Sequence, residues 1–90
     1  MGLELTILIF DSYSLKDKRS VVKSILKKLS NQYNVSVAEI DELDTLNKAK
    51  IGLGIVGNNR VLCENILNQT IRFIEANYEV NITEIERLDY

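Results

Sequence analysis

The strongest constraint on this chain is a change of hydrophobic period, from two residues to three-and-four and back, that recurs in one order along its length. Leu3, Leu5, Ile7 and Ile9 alternate with Glu4, Thr6, Leu8 and Phe10, which is the pattern of a strand with one apolar and one mixed face. This first strand runs from about Leu3 to Phe10. Turn-forming residues Asp11 to Ser14 follow, and Ser14 stands three places before Asp17 in a capping-box arrangement that opens a helix near Leu15. Val22, Ile25, Leu26, Leu29 and Tyr33 then recur at helical steps, and the polar run Ser30, Asn31, Gln32 closes the helix.

Val35 and Val37 alternate with Ser36 and Ala38 in a short second strand that runs into the acidic segment Glu39 to Asp44. Ala49, Ile51, Leu53 and Ile55 alternate with Lys50, Gly52, Gly54 and Val56 in a third strand ending near Gly57, and Asn58 or Asn59 caps a second helix. The stripe expected to be buried on that helix is Leu62, Cys63, Ile66, Leu67, Thr70, Phe73 and Ile74. Val80 and Ile82, with Ile85 and Leu88 off their alternation, predict a last strand carrying a bulge. Strand, helix, strand, strand, helix, strand is the split-βαβ pattern. Right-handed crossovers then place both helices on one face of a four-stranded antiparallel sheet, so the expected fold is an α+β, ferredoxin-like βαββαβ sandwich forming one domain over residues 1–90.

Composition narrows the chemistry. With 11 basic and 13 acidic side chains, no His, no Trp and one Cys in 90 residues, the chain has no Cys–His nucleophile pair and no His/Cys set for zinc. Lone Cys63 forms no internal disulfide, which fits a reducing cytoplasm; on the apolar stripe of the second helix it is expected to be a small buried hydrophobe. The opening segment lacks a basic n-region, and Leu5 to Phe10 is far shorter than the roughly 20 apolar residues that span a bilayer. No export or membrane segment is read there.

Charge is polarised along the chain. The first helix carries Lys16, Lys18, Arg19, Lys23, Lys27 and Lys28 against Asp17 alone, whereas residues 34–90 carry five basic and ten acidic side chains. Lys16, Arg19, Lys23 and Lys27 project along one flank beside the apolar stripe, while Lys18 lies nearer the stripe, has to snorkel, and supports the start of the helix. Cations in a first turn oppose the helix dipole. Together with free N–H groups at the capped end they would hold phosphate groups, as in an RNA backbone. The plainer reading is a solvated helix face.

The uncovered sheet face is a second candidate, with Leu8, Phe10, Gly52, Gly54 and Val56 as an interface for a second copy. Phe10 alone is aromatic there, so base stacking on the sheet is not expected. Gly52 and Gly54 alternatively mark close approach of a neighbouring backbone or side chain. Carboxylates at Glu39, Asp41, Glu42 and Asp44 lack calcium-loop spacing and the glycine of its sharp turn, so the segment is read as a solvated acidic turn or a partner for the first helix rather than a metal site. Tyr13, just before the cap, is a candidate contact residue, although a tyrosine there more often packs over the helix entrance.

The segments SLKDKRSVVKSIL at Ser14 to Leu26, NVSVAEID at Asn34 to Asp41 and RFIE at Arg72 to Glu75 resemble the YlxP-like family of small bacterial proteins of undefined function. The resemblance covers nearly the whole length. The first segment is similar to the family's SLK-x-KR-x-V-x-KS signature, onto which Ser14, Leu15, Lys16, Lys18, Arg19, Lys23 and Ser24 fall. Phe10 stands where proline is frequent in the family, and Glu42 and Leu46 where His and Trp often occur. The resemblance implies a ferredoxin-like fold and a gene neighbourhood of translation initiation and ribosome maturation factors, but no substrate, cofactor or catalytic residue.

The functional expectation is a non-enzymatic cytoplasmic module that binds structured RNA, such as ribosomal RNA or a ribosomal particle, through Lys16, Lys18, Arg19, Lys23 and Lys27. The alternative is a protein-interaction module whose first helix meets an acidic surface or a second copy in a homodimer. An enzyme is the poorest fit: ferredoxin-like acylphosphatases use a glycine-rich anion loop that is absent here, and Asn58 and Asn59 are more simply caps.

Overall fold

A computed structural model of the protein describes residues 1–42 and 45–89. The elements follow the expected order: β1 (Gly2–Ile9), α1 (Leu15–Gln32), β2 (Ser36–Asp41), β3 (Lys48–Gly54), α2 (Arg60–Asn77) and β4 (Val80–Leu88). The four strands form one antiparallel sheet in the order β2-β3-β1-β4. The fold is therefore the ferredoxin-like α+β sandwich. Among the described residues no helix is long and apolar enough to cross a membrane.

Alternation along the central strands sets which face receives the helices. Leu3, Leu5 and Ile7 of β1 and Ala49 and Ile51 of β3 have no exposed surface, and they meet Ile25 and Leu29 of α1 and Leu67 and Ile74 of α2 in one core. At about 1.5–3 kcal/mol per fully buried aliphatic side chain, this shared layer is what joins the helices to the sheet.

α2 differs from its expected orientation by about one position. Its buried residues are Cys63, Leu67, Thr70, Ile71 and Ile74, whereas Leu62 is 55% exposed. Leu62 sits in the first turn, where Asn59 caps the helix by accepting the Leu62 N–H at 3.1 Å; its neighbour Cys63 takes the buried place in that turn. Phe73 is half-buried and makes edge contacts with Tyr33 and Tyr78, ring centroids 6.1 and 6.4 Å apart.

β3 stops at Gly54 rather than near Gly57. One further pair carries the ladder past that point, with Ile55 N–H donating to the Met1 carbonyl at 2.9 Å, after which Val56 turns out into solvent, 95% exposed. The bulge expected in β4 is present: Thr6 pairs with Glu84 and Ile7 with Ile82, which leaves Thr83 over. Its hydroxyl donates to the Thr6 carbonyl at 3.2 Å, and the extra residue puts Ile82 and Ile85 on the same face despite their odd spacing.

A second bulge, in β2, places Ile40 between the pairs Glu39–Ile51 and Asp41–Lys50. Ile40 folds over Gly52, where an added Cβ would lie 3.2 Å from its Cγ2, while a Cβ at Gly54 would meet nothing within 4 Å. Close approach thus accounts for Gly52 and not for Gly54. Neither glycine has positive φ, so both backbones accept alanine. Gly54→Ala is expected to raise stability by about 0.5–1 kcal/mol through lost chain entropy in the unfolded state. Gly52→Ala is expected to gain nothing or to destabilise. Urea denaturation of the two variants checks the pair.

Candidate anion-binding site

α1 begins where its residues say it should. Ser14 has extended backbone, and its hydroxyl accepts the Asp17 N–H at 3.1 Å, satisfying one of the orphan donors of the first turn. Asp17 answers by accepting the N–H of Tyr13 at 3.3 Å, one residue earlier than in a standard capping box. Ser14→Ala is expected to cost about 1 kcal/mol, read as a lower urea midpoint with unchanged slope. The Asp17 carboxylate already faces the positive end of the helix, so the phosphate-holding role expected of the capped terminus is partly filled by the chain itself. Tyr13 does not pack over the entrance: it is 78% exposed and its hydroxyl bonds Asp11 at 3.2 Å.

The expected set of cations divides in two. Lys16, Arg19, Lys23 and Lys27 are exposed. At 3.6 residues per turn they occupy an arc of about 80° and a rise of roughly 16 Å. The ion pairs among the described residues are Lys18–Glu39 and Arg60–Asp89, so these four meet no carboxylate there. Lys28 lies on the other flank, its ammonium 5.6 Å from the centre of the Tyr78 ring.

Lys18 is not a surface cation, which corrects its expected place among the phosphate contacts. It is fully buried, its Nζ lies 3.0 Å from Glu39 Oε2, and it donates a hydrogen bond to the Glu42 carbonyl. The contact with Glu39 is an ion pair without hydrogen-bond alignment, since Oε2 is buried with no hydrogen-bond partner. The physical reason is position. Lys18 continues the row Val22, Ile25, Leu29 that α1 turns toward the sheet, and the α1–β2 crossover brings the end of β2 under that first turn. Glu42 has a left-handed φ of 63°, a conformation costing roughly 1–2 kcal/mol for a residue with a Cβ. It is held there by Lys18 at its carbonyl, by Asp41 accepting its N–H at 2.8 Å, and by Thr45 donating to its carboxylate at 2.8 Å.

Glu39, Asp41 and Glu42 of the acidic segment do not converge. Glu39 turns to Lys18, Asp41 stands in register with Lys50, and Glu42 takes Thr45; Asp44 lies outside the described residues. Among the described residues no group of three potential metal ligands forms.

The proposed sheet-face interface is also divided. Leu8 pairs with Lys48 at one end of the sheet and Gly54 with Gly2 at the other, about 20 Å apart along β1 at ~3.3 Å per residue. Between them the face carries Glu4, Glu86, Lys50 and Glu84 around Thr6. Phe10 extends the Leu8 end and is 55% exposed, and Val56 lies past the last strand residue. The five residues form no continuous apolar patch.

A feature not anticipated from sequence adjoins the cations. Arg19, Lys23 and Lys27 form one rim of an open groove of about 850 Å³ between α1 and β2, floored by Val22, Leu26, Val35 and Val37. Its signal in the sequence is the pair Val35 and Val37, apolar residues at and just before the edge strand β2 that stay partly exposed.

Comparison with known proteins gives a family and a relative. Residues 1–87 match the family described as "Protein of unknown function (DUF503)". The chain is similar to the uncharacterized protein YlxP of Bacillus subtilis (strain 168), at 38% identity over 76 residues, covering 84% of this chain and 83% of that protein. Matched from residue 1 to residue 87, the chain belongs to the DUF503 family.

Proposed function

We propose that the protein is a non-enzymatic binding module that takes up a polyanion, structured RNA or a ribosomal particle, along the exposed flank of α1. One observation carries the reading: Lys16, Arg19, Lys23 and Lys27 stand in a single exposed row with no carboxylate partner among the described residues. Arg19, Lys23 and Lys27 are four residues apart, about 6 Å of helix rise, a spacing comparable to that of neighbouring phosphates along one strand. Lys18 takes no part in contact; it fixes the first turn from which the row projects. Phosphate contacts of this kind position a partner without reading its sequence.

The test is salt-titrated binding to ribosomal RNA and to ribosomal subunits by the protein and by a variant with glutamine at positions 16, 19, 23 and 27. Weaker binding with a shallower salt dependence supports the reading, and equal binding by both proteins removes it.

A second reading, a protein-docking module, is favoured by the aliphatic floor of the α1–β2 groove, which phosphate contact alone does not require.

A further inference from the structure

We infer that the α1–β2 groove binds an extended acidic segment of another protein, which adds to the sheet as a fifth strand along β2. The inference rests on the protein-docking reading and specifies its partner.

The edge supplies the first argument. β2 is an outer strand of the sheet, and among the described residues no backbone N–H or C=O of Ser36–Asp41 bonds to backbone outside it. Half of those groups point away from β3, which is the template that strand addition uses. The Ile40 bulge interrupts regular pairing, so the usable stretch is Ser36 to Glu39. β4, the opposite edge, presents Glu84 and Glu86 and its own bulge.

The second argument is the match between two pitches. Val37 pairs with buried Leu53 and so faces the helix layer, while Ser36 and Ala38 pair with Gly54 and Gly52 on the open face. Every second side chain of an added strand would therefore enter the groove, about 6.6 Å from the next at ~3.3 Å per residue. Arg19, Lys23 and Lys27 rise about 6 Å per step on the groove's rim. Glutamate fits both surfaces: its methylenes lie on Val22, Leu26 and Val37, and its carboxylate reaches a rim cation, while Glu39, the carboxylate that also lines the groove, is already paired with Lys18. The intervening residues emerge beside Ala38 and Ile40 on the open face, where a shallow apolar depression of about 330 Å³ also includes Gly52, Gly54 and Leu88. Small apolar side chains suit that position.

A second copy of this chain is a poorer occupant. Two β2 edges paired about a twofold axis would lay both α1 flanks on the same face of the joined sheet, with Arg19, Lys23 and Lys27 of one helix against the same cations of the other. Like charges so placed oppose association.

The experiment is an amide NMR titration of the ¹⁵N-labelled protein with a capped octapeptide of alternating glutamate and valine. Saturable binding is expected, with the largest amide shifts at Ser36–Glu39 and along the groove side of α1. The double variant Lys23→Glu/Lys27→Glu, altered at exposed positions, is expected to bind about tenfold or more weakly. A peptide N-methylated at the alternate residues that would donate to β2 loses backbone bonds and is expected to bind about tenfold more weakly. Equal binding by the N-methylated peptide overturns strand addition while leaving a charge-guided docking site. Equal binding by the double variant, or shifts confined to another surface, overturns the assignment of the groove. No peptide binding at millimolar concentration, with an RNA hairpin still bound, overturns both this inference and the docking reading and leaves the RNA reading standing.

Discussion

Replacing Lys18 by alanine lowers the free energy of unfolding by about 3–5 kcal/mol, the range for removing one partner of a buried ion pair. Lys18 has no exposed surface, and the Glu39 side chain beside it is only 16% exposed. The variant leaves that carboxylate out of water without its cation, opens a cavity the length of a lysine stem, and frees the strained Glu42 from its tether. For 90 residues total stability is on the order of 5–13 kcal/mol, so the loss is a large fraction of the whole. The double variant Lys18→Met/Glu39→Leu removes both charges and keeps the volume; it is expected to recover most of the loss, because such pairs are often no better than apolar residues of equal size. Arg19→Ala, one position along and exposed, is expected to stay within about 0.5 kcal/mol. Urea unfolding followed by circular dichroism, with unchanged slope, reads all three. A loss below about 1 kcal/mol for Lys18→Ala is incompatible with the buried pair.

The second large effect concerns binding. If Lys16, Arg19, Lys23 and Lys27 each neutralise one phosphate, log K falls against log salt with a slope of about −2.8 to −3.6, at ~0.7–0.9 per phosphate. Affinity then drops roughly 50- to 150-fold between 50 and 200 mM salt. The quadruple glutamine variant loses that sensitivity, its slope flattening toward zero, while its unfolding midpoint remains close to that of the parent since none of the four is buried or paired among the described residues. Lys18→Met/Glu39→Leu is the complementary control, expected to keep the slope. Filter binding or anisotropy over a salt series measures both. A parent slope near zero, or one shared by the quadruple variant, removes phosphate contact by this row.

Much of this architecture is written in local pattern, because strand alternation and helical stripes are set by residues within a few positions of one another. The β4 bulge was legible for that reason, from the spacing of Ile82 and Ile85 alone. Lys18 was half legible. Its place in the row with Val22, Ile25 and Leu29 marks a position facing the sheet, but the carboxylate that permits a cation there comes from Glu39, 21 residues later, and only the crossover brings them together. Gly52 itself marks a close approach, but that Ile40 makes it, through a bulge in β2, was hidden for the same reason, being a contact between two strands. On α2, Leu62 and Ile71 compete for neighbouring stripes, and the helical period alone does not choose between them; in the fold Cys63 and Ile71 are buried and Leu62 is exposed. The sheet-face interface failed as a continuous patch because the intervening charges come from β4 and the middle of β3 as well as from β1.

Strand β1 stands between β3 and β4, with Gly2 opposite Leu88. On a translating ribosome the first of those residues therefore waits for almost all of the domain to be polymerised before its second neighbour exists, roughly 4–17 s at ~5–20 residues per second. Throughout that interval the β4 side of β1 is unpaired and Leu3, Leu5 and Ile7 have no closed layer around them. The sheet is therefore closed only once β4 is available, and until then the open side of β1 is a template for pairing with other chains.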